Sequence, residues 1–315
     1  MSSKDTLKKF EKGNPEDFLN WTALPESKEQ KENWQNMNRA WWEKNPMRYD
    51  FTYEDNPFQE GTREFYEEID RRFYSSVYQF MPWKKFPFDP IIDFASLHKK
   101  DVLEIGVGCG SNAQLLARNA GSFTGVDLTE YAVNTTRKRL NFFGLKGNVI
   151  RMDAEKMEFK DNTFDFIWSW GVIHHSSNTR NILEEIHRVL RPGGTVVTMV
   201  YHRSLWNTYV RGALYYGILR GRFIQTRSLN TIIQQSTDGA LARYYTVPEW
   251  EAELSRRFEV QDSSVFGSKS QIIPLPWGRT KEFLMKLMPD AWGRFITNRP
   301  FFGFLLVSSF QKRQL

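Results

Sequence analysis

The 315-residue chain carries 43 Lys and Arg against 37 Asp and Glu, and 40% of its residues are hydrophobic, as is typical of a soluble globular protein. Its single cysteine, Cys109, excludes an internal disulfide framework and favours a reducing compartment. The N-terminus lacks the apolar core of a secretory signal, and Arg211 interrupts the most apolar stretch, residues 205–219. We therefore expect a cytoplasmic protein.

The charge is unevenly distributed along the chain. Residues 201–315 carry 16 Lys and Arg against 8 Asp and Glu, whereas residues 1–100 carry 16 against 18. A basic final third suits an anionic substrate, a phosphate or a membrane surface, and it equally suits a solvated face that keeps the protein soluble.

Residues 1–98 are predicted to form a helical, aromatic-rich extension. Its clearest helix covers residues 62–78, with Thr62 as the N-cap. One face of this helix carries apolar side chains at fourfold spacing: Phe65, Ile69, Phe73 and Val77. We interpret the extension as a lid over an active site; the alternative is a segment that only packs against its domain.

Residues 99–315 are predicted to form one α/β domain. Strands are predicted at 101–106, 122–127, 148–153, 164–170 and 194–201, alternating with helices at 111–120, 130–143 and 178–190. This alternation indicates a Rossmann-like, doubly wound parallel sheet covered by helices. Later strands at 258–266 and 301–310 predict an antiparallel edge, and insertions are expected at 202–244 and 267–299.

A glycine-rich loop follows the first predicted strand, in VLEIGVGCGSN at residues 102–112. Such a loop lets backbone amides approach a ligand, and the next helix presents free N–H groups. The spacing departs from the dinucleotide fingerprint, because Ser111 stands where its last glycine is required. Glu104, inside the strand, would repel a pyrophosphate but suits an ammonium group.

Two further acids follow the next predicted strands. Asp127 lies about 20 residues beyond the glycines, the spacing at which a carboxylate accepts hydrogen bonds from ribose hydroxyls. Asp153 ends the third predicted strand and suits the exocyclic amine of an adenine packed on Leu128; it equally suits capping of a short turn. The pattern predicts a ligand with a ribose, a purine and a zwitterionic tail.

The segments VLEIGVGCGSN, VDLTEYAV, MDAEKMEF, FDFIWSWGVIHHS and LRPGGTVV occur in this order between residues 98 and 201. Together they resemble the motifs of class I S-adenosylmethionine-dependent methyltransferases, in the small-molecule and lipid branch that includes the ubiquinone and menaquinone C-methyltransferases. The resemblance implies S-adenosylmethionine as cofactor. It also implies that Gly106, Gly108 and Gly110 line the methionine end of the cofactor, with Glu104 beneath it.

The remaining cofactor roles follow from the same resemblance. Asp127 would bind the ribose, Leu128 would pack on the adenine, and Asp153 with the Ala154 amide would recognise the adenine edge. Trp170 and Gly171 would flank the sulfonium.

Methyl transfer needs alignment of the reactants, and it needs a base only where the acceptor must lose a proton. His174 and His175 follow the fourth predicted strand and are the candidates for that base; the alternative is a pair of hydrogen-bonded loop histidines. Adjacent histidines do not form a metal-ligand pattern, so no metal is predicted. Cys109 is interpreted as a small filler rather than a nucleophile.

Substrate specificity is expected outside the shared motifs. Residues 41–51, with Trp42 and Tyr49, are predicted as the lid segment, and Tyr201 and Arg220 as further substrate contacts. Residues 205–223 are predicted as a helix whose apolar face docks on the sheet or completes the pocket; the alternative is contact with an anionic membrane.

The leading interpretation is a methyltransferase acting on a small molecule that is phosphate-bearing, anionic or lipid-like. A nucleic-acid or protein methyltransferase is the second, disfavoured because strand four ends Ser169-Trp170-Gly171 without the Asn/Asp-Pro-Pro-aromatic tetrad. A non-catalytic cofactor-binding regulator is the third. The sequence predicts no oligomeric state.

Overall fold

The computed structural model describes residues 15, 17–49, 55–273 and 278–313. Residues 50 and 51 of the predicted lid segment therefore lie outside the described residues, as do residues 274–277 of the second predicted insertion. None of the described helices combines the length and the apolar character that crossing a lipid bilayer requires.

An eight-stranded sheet forms the centre of the molecule. In chain order its strands are β1 (Asp101–Ile105), β2 (Ser122–Asp127), β3 (Asn148–Arg151), β4 (Phe164–Trp170), β5 (Leu190–His202), β6 (Tyr244–Tyr245), β7 (Phe258–Phe266) and β8 (Leu305–Lys312). The spatial order is β3-β2-β1-β4-β5-β8-β7, with β6 paired to β5 outside this path. Strands β1 to β5 are parallel, and β8 is antiparallel to both β5 and β7. The predicted doubly wound sheet with an antiparallel edge is confirmed.

Ten α-helices surround or extend this sheet within the described residues. They are α1 (Lys28–Lys44), α2 (Arg63–Phe80), α3 (Ser111–Asn119), α4 (Glu130–Phe142), α5 (Thr179–Val189), α6 (Arg222–Gln225), α7 (Leu229–Gln234), α8 (Val247–Ser255), α9 (Arg279–Leu287) and α10 (Asp290–Thr297). Short 3-10 turns cover Phe94–Leu97, Ile173–His175 and Lys269–Gln271, and a π-helix covers Trp206–Leu219.

Alternating side chains of the strands divide the core into two layers. Val102 and Val197 belong to one apolar cluster, with α2 and α3, whereas their neighbours Leu103 and Val196 belong to the other, with α5 and α8. Successive strand residues point to opposite faces, so a strand with helices on both sides is apolar throughout. This burial explains the continuous apolar runs from which the strands were predicted.

Several element boundaries differ from the sequence prediction. Strand β3 ends at Arg151, two residues early. Strand β5 begins at Leu190 rather than residue 194, because Leu190 already pairs with Phe164 of β4 ahead of an irregularity in the ladder. Strand β8 covers Leu305–Lys312 instead of 301–310. The predicted helix 62–78 is α2, with the Thr62 hydroxyl accepting from Phe65 N as its N-cap.

The predicted docking of an apolar face of residues 205–223 on the sheet is wrong, because Tyr209, Leu214 and Ile218 of that face are 56%, 48% and 64% exposed. Contact of this segment with an anionic membrane stays a prediction. The segment is a π-helix whose buried residues are Thr208, Gly212 and Gly217. Gly212 lies against Ile233 and Gly217 against Phe223, so close that a Cβ atom at either would overlap its neighbour. The i→i+5 hydrogen bonds of a π-helix widen the turn, so the packed positions recur at four and five residues and the side chains at α-helical spacing are left exposed.

The buried guanidinium of Arg139 on α4 ties four elements together. It pairs with Asp70 on α2, and it donates to Gln114 Oε1 at 2.7 Å, Cys109 O at 3.2 Å and Ser111 Oγ at 3.3 Å. Its side chain is fully buried and that of Asp70 is 21% exposed. Removal of the guanidinium therefore leaves a largely enclosed carboxylate and a loop carbonyl without a donor.

We expect Arg139→Met to lower the free energy of unfolding by about 3 kcal/mol, the cost typical of breaking one side of a buried ion pair. Urea denaturation followed by circular dichroism measures this loss. Lys138→Met, at the exposed neighbouring position, is the control and should change stability by less than about 0.5 kcal/mol. Equal stability of the two variants would show that the Arg139 contacts do not support the fold.

Candidate active site

A cavity of about 440 Å³ opens at the carboxyl ends of β1, β2, β4 and β5, beneath α1 and α2. This is the position at which open α/β sheets bind ligands, and the volume suits a small molecule. Most of the predicted site residues line it: Trp42, Tyr49, Glu104, Gly106, Gly108, Gly110, Asp127, Leu128, Asp153, Ala154, Trp170, Gly171, His175 and Tyr201. His174 and Arg220 are not among the residues that line the cavity.

The loop between β1 and α3 requires glycine for two different reasons. Gly106 has φ +82°, and a Cβ atom there would lie 2.1 Å from Val172 Cγ2, so no side chain fits. Gly108 has φ +52°, but a Cβ atom there would have no protein atom within 4 Å. The space beside Gly108 is the cavity itself, so this backbone is open to a ligand.

Asp127 is held at the end of β2 by hydrogen bonds to its carboxylate. Gly108 N donates to Oδ2 at 3.2 Å, while Thr129 donates to Oδ1 from its backbone N at 2.9 Å and from its hydroxyl at 2.8 Å. The Thr129 hydroxyl in turn accepts from Ala132 N and caps α4. The carboxylate is thus fixed in orientation beside the glycine loop. Burial, more than any neighbouring charge, raises its pKa.

Glu104 is a buried acid beneath the same loop. Its side chain is buried, and its Oε2 has no hydrogen-bond partner among the residues that the structure describes. Burial, and then the charge of Asp127, raise the pKa of Glu104 well above its ordinary range. An enclosed carboxylate is costly unless a cation or donor meets it, so this acid indicates a positively charged ligand group.

Two amide oxygens around the cavity are also buried without a hydrogen-bond partner in the described residues. They are Asn38 Oδ1 on α1 and Asn112 Oδ1 at the start of α3. Together with Glu104 they form a set of acceptors around the glycine loop. Such a set fits a ligand that carries an ammonium group and hydroxyl donors.

Helix α1 covers the far end of this region. Gln35 Nε2 donates to Asp153 Oδ1 at 2.9 Å, and Gln35 Oε1 accepts from Ser177 N at 3.2 Å. At the end of the same helix, Glu43 accepts from the first backbone amides of α4, Glu130 N and Tyr131 N, both at 2.9 Å. Asp153 also accepts from Glu155 N at 2.9 Å, so it both caps its turn and faces the cavity.

The opposite end of the cavity has an apolar wall. Its apolar side chains come from α2, from β5 and from the start of β8 with the residue before it: Phe73, Val77, Phe80, Met199, Phe304 and Leu305. One polar pair interrupts it, since the Tyr201 hydroxyl donates to Asp238 Oδ1 at 2.6 Å. Burial, followed by the charge of Asp238, raises the pKa of Tyr201 well above its ordinary value, so the hydroxyl stays protonated.

The two predicted base candidates have different surroundings. The ring of His175 lines the cavity, 5.0 Å from the ring of Trp42, and its Nδ1 lies 2.8 Å from Leu241 O. A carbonyl only accepts, so Nδ1 carries the proton, and Nε2 of the neutral ring is the acceptor. His174 is fully buried behind it, with its ring 3.9 Å from that of Tyr201. Burial lowers its pKa well below 6.5, which keeps this ring neutral.

Arg220 and Cys109 complete the predicted residues. Arg220 is exposed at the C-terminal end of the π-helix, with its guanidinium 5.9 Å from the Tyr215 ring. Cys109 lines the cavity from the glycine loop, where burial raises the pKa of its thiol to about 12. The thiolate needed by a nucleophile is therefore disfavoured, in keeping with a filling role.

Sequence reasoning missed Gln35 and Asn38, which share a face of α1 with Trp42, and Asp238. The spacing of 35, 38 and 42 is the one signal that could have revealed the α1 face. Asp238 stands in an irregular segment, and its position beside Tyr201 depends on contacts across the fold. Arg72, also missed, lines the cavity and donates to Glu68 Oε1 at 2.7 Å.

The chain resembles known proteins over this same region. A family model described as a methyltransferase domain matches residues 103–198. The phthiotriol/phenolphthiotriol dimycocerosates methyltransferase of Mycobacterium tuberculosis is 38% identical over 97 residues, covering 30% of this chain and 35% of that protein. The fatty-acid O-methyltransferase of Mycolicibacterium smegmatis is 37% identical over 102 residues, covering 32% and 36%. The matched region thus spans little more than a third of either relative's length.

Among solved structures, an S-adenosylmethionine-dependent methyltransferase from Methanosarcina mazei shares 19% identity at a TM-score of 0.48, over 72% of this chain and 98% of that one. The family match covers β1 through most of β5, which are the strands whose ends form the cavity. Residues 103–198 are thus similar to a methyltransferase domain, as the motifs of the sequence indicate.

Proposed function

We propose that this protein transfers a methyl group from S-adenosylmethionine to a small, lipid-like acceptor. The observation that carries the proposal is the division of the cavity. Its glycine-loop end presents carboxylates and unpaired amide oxygens, whereas its other end is an apolar wall interrupted by Tyr201 and Asp238. The first end suits the cofactor and the second suits an acceptor with a large apolar part.

We assign the cofactor groups to residues at the first end. Glu104 and the loop amides would hold the methionine portion, Asp127 the ribose hydroxyls, and Leu128, Asp153 and the Ala154 amide the adenine. Gln35 Nε2 donates to Asp153 Oδ1 in this structure. The adenine amine would replace Gln35 as the donor to Asp153 or would donate to Asp153 beside it. Trp170 and Gly171, at the end of β4, would border the reacting centre.

S-Adenosylmethionine supplies an electrophilic methyl group on a sulfonium. The chain's part is to align the acceptor with that group and to exclude water, which accounts for much of the acceleration in such displacements. Where the acceptor is a hydroxyl, His175 would take its proton at Nε2, since Nδ1 is committed to the Leu241 carbonyl. Tyr201 donates its one hydroxyl proton to Asp238, so its oxygen would accept a hydrogen bond from the acceptor's hydroxyl and orient it.

The cavity does not favour an anionic reacting group. Its described lining contains four acids, Glu104, Asp127, Asp153 and Asp238, and one basic side chain, Arg72. The mycobacterial relatives named for a fatty acid and for phthiotriol lipids, together with the apolar wall, support an acceptor with a large apolar part. The acidic lining is the ground on which we propose an uncharged reacting group, unlike the carboxylate of a fatty acid.

Gly108→Ala should weaken S-adenosylmethionine binding at least about tenfold, because the added methyl group projects into the ligand space. Gly144→Ala is the matched control. Gly144 has φ +64° and equally open surroundings but does not line the cavity, so both variants carry the same backbone strain. Isothermal titration calorimetry compares them. Equal affinities would place the cofactor away from Gly108.

Cofactor affinity should rise with pH well beyond the ordinary glutamate pKa of 4.5. Because its pKa is raised, Glu104 still carries a proton at pH values where an exposed glutamate is ionised. The cofactor's ammonium group must displace that proton to pair with the carboxylate, so binding releases a proton. Calorimetry in buffers of different ionisation enthalpy measures that release. Glu104→Gln should reduce both the release and the slope with pH. A wild-type affinity independent of pH would refute the pairing of Glu104 with the ammonium group.

Incubation with methyl-labelled S-adenosylmethionine tests the acceptor class. Supplied with a total lipid extract and, separately, with water-soluble metabolites, the protein should place label in the organic phase of the lipid reaction. Label confined to water-soluble products would overturn the lipid-like acceptor. Cofactor binding without label in either reaction would favour the non-catalytic regulator.

His175→Gln, assayed with the acceptor so identified, should lower kcat about a hundredfold or more if that acceptor is a hydroxyl, the contribution typical of a general base. Its cofactor affinity should remain that of the wild type. Exposed His98→Gln is the control.

A further inference from the structure

We propose that residues 279–301, comprising α9, α10 and the turn after them, form a docking surface for an anionic lipid bilayer. This inference rests on the proposed function, since it explains how a lipid-like acceptor reaches the cavity. We name this region the α9–α10 surface.

Helix α9 has an apolar face that the rest of the described structure leaves exposed. Phe283, Leu284 and Leu287 lie on one side of it and are 62%, 37% and 64% exposed. No residue of the helix is buried. A helix of this kind has not buried its apolar face within the fold, so the face is available to an apolar partner.

Helix α10 is fixed on one side and exposes aromatic rings on the other. Gly293 and Thr297 are buried, and the Thr297 hydroxyl donates to Gly267 O at 2.6 Å. Trp292 and Phe295, three residues apart, are 70% and 71% exposed. Exposed aromatic residues on a short amphipathic helix are typical of segments that insert shallowly at a membrane interface.

The charge around these apolar side chains identifies the partner. The surface carries three exposed basic residues, Arg279, Lys286 and Arg299, and two partly buried ones, Lys281 and Arg294. It has two acids, and one of them, Asp290, is already paired with Lys269 at 2.6 Å. Basic groups beside exposed Trp, Phe and Leu match anionic headgroups above an apolar layer. A second copy of the chain is a poorer occupant, because it would bring the net positive charge of this surface against the same charge on the other copy.

This surface adjoins the apolar end of the cavity. Asn298 Nδ2, at the end of α10, donates to Phe80 O at 2.9 Å, and Arg294 Nη1 donates to Gln79 O at 3.3 Å. Phe80 itself lines the cavity, as does Phe304 a few residues beyond α10. A bilayer bound at the α9–α10 surface would thus lie beside the cavity end assigned to the acceptor.

Vesicle sedimentation with the full chain tests the proposal. Vesicles of phosphatidylcholine alone are compared with vesicles of equal parts phosphatidylcholine and phosphatidylglycerol, at low and high salt. We expect binding to the anionic vesicles, weakened by salt, and little binding to the neutral ones.

Two double variants examine the two components of the surface. Arg279→Glu with Lys286→Glu should weaken vesicle binding by more than about tenfold, since each basic group near such a surface contributes roughly fivefold. Trp292→Ala with Phe295→Ala should do the same by removing the inserted rings. The matched controls are Lys138→Glu with Lys146→Glu, and Phe58→Ala with Phe142→Ala, which alter exposed residues elsewhere.

The outcomes separate this proposal from the proposed function. Absence of vesicle binding, equal binding to neutral and anionic vesicles, or equal losses in the controls would each overturn the docking surface. Self-association that Trp292→Ala with Phe295→Ala abolishes, without vesicle binding, would identify the face as an interface between copies and overturn it as well. Cofactor binding by calorimetry should stay unchanged in all variants. Its absence from the wild type would refute the methyltransferase proposal and leave the vesicle result standing.

Discussion

The open conformation of the glycine loop depends on α4, which satisfies the loop carbonyls from beneath. Arg139 donates to Cys109 O, and the Thr136 hydroxyl donates to Gly108 O at 3.1 Å. With these carbonyls occupied on the protein side, the backbone around Gly108 can face the cavity without leaving polar groups unpaired. Arg139 also pairs with Asp70, so the ligand-facing loop and the N-terminal extension share one buried charge.

That shared contact makes the extension part of the site. Helix α2 supports the loop through Asp70 and lines the cavity with Phe73 and Val77, while α1 covers the cavity through Gln35 and Asn38. The buried Trp34 further anchors α1, with its Nε1 donating to Asp17 Oδ1 at 2.8 Å. Opening of a lid at α1 would thus disrupt core contacts as well as release ligand.

The sequence predicts those parts of the molecule that depend on local pattern. Strands β1 to β5 are apolar because both faces of the sheet are covered by helices. The glycines within residues 106–110 indicate a backbone segment that is open to a ligand. The π-helix was not predicted, because apolar patterns are compared with the α-helical period of 3.6 residues. Gly212 and Gly217, the positions that pack here, are five residues apart; they lie against Ile233 and Phe223. Asp238 and Gln35 escaped it because their partners, Tyr201 and Asp153, are distant in the chain.

Acidic side chains line the cavity, whereas exposed basic side chains of the final third lie on the outer surface. The basic final third of the sequence suggested an anionic substrate or a basic outer face, and the cavity lining is acidic, with Arg72 already bonded to Glu68. The basic residues of α9 and α10 lie instead among exposed aromatic side chains. Acidic groups inside would favour the cationic cofactor, whereas basic groups outside would attract an anionic surface. Opposite charges at the two places would let one protein bind both without either competing for the other's site.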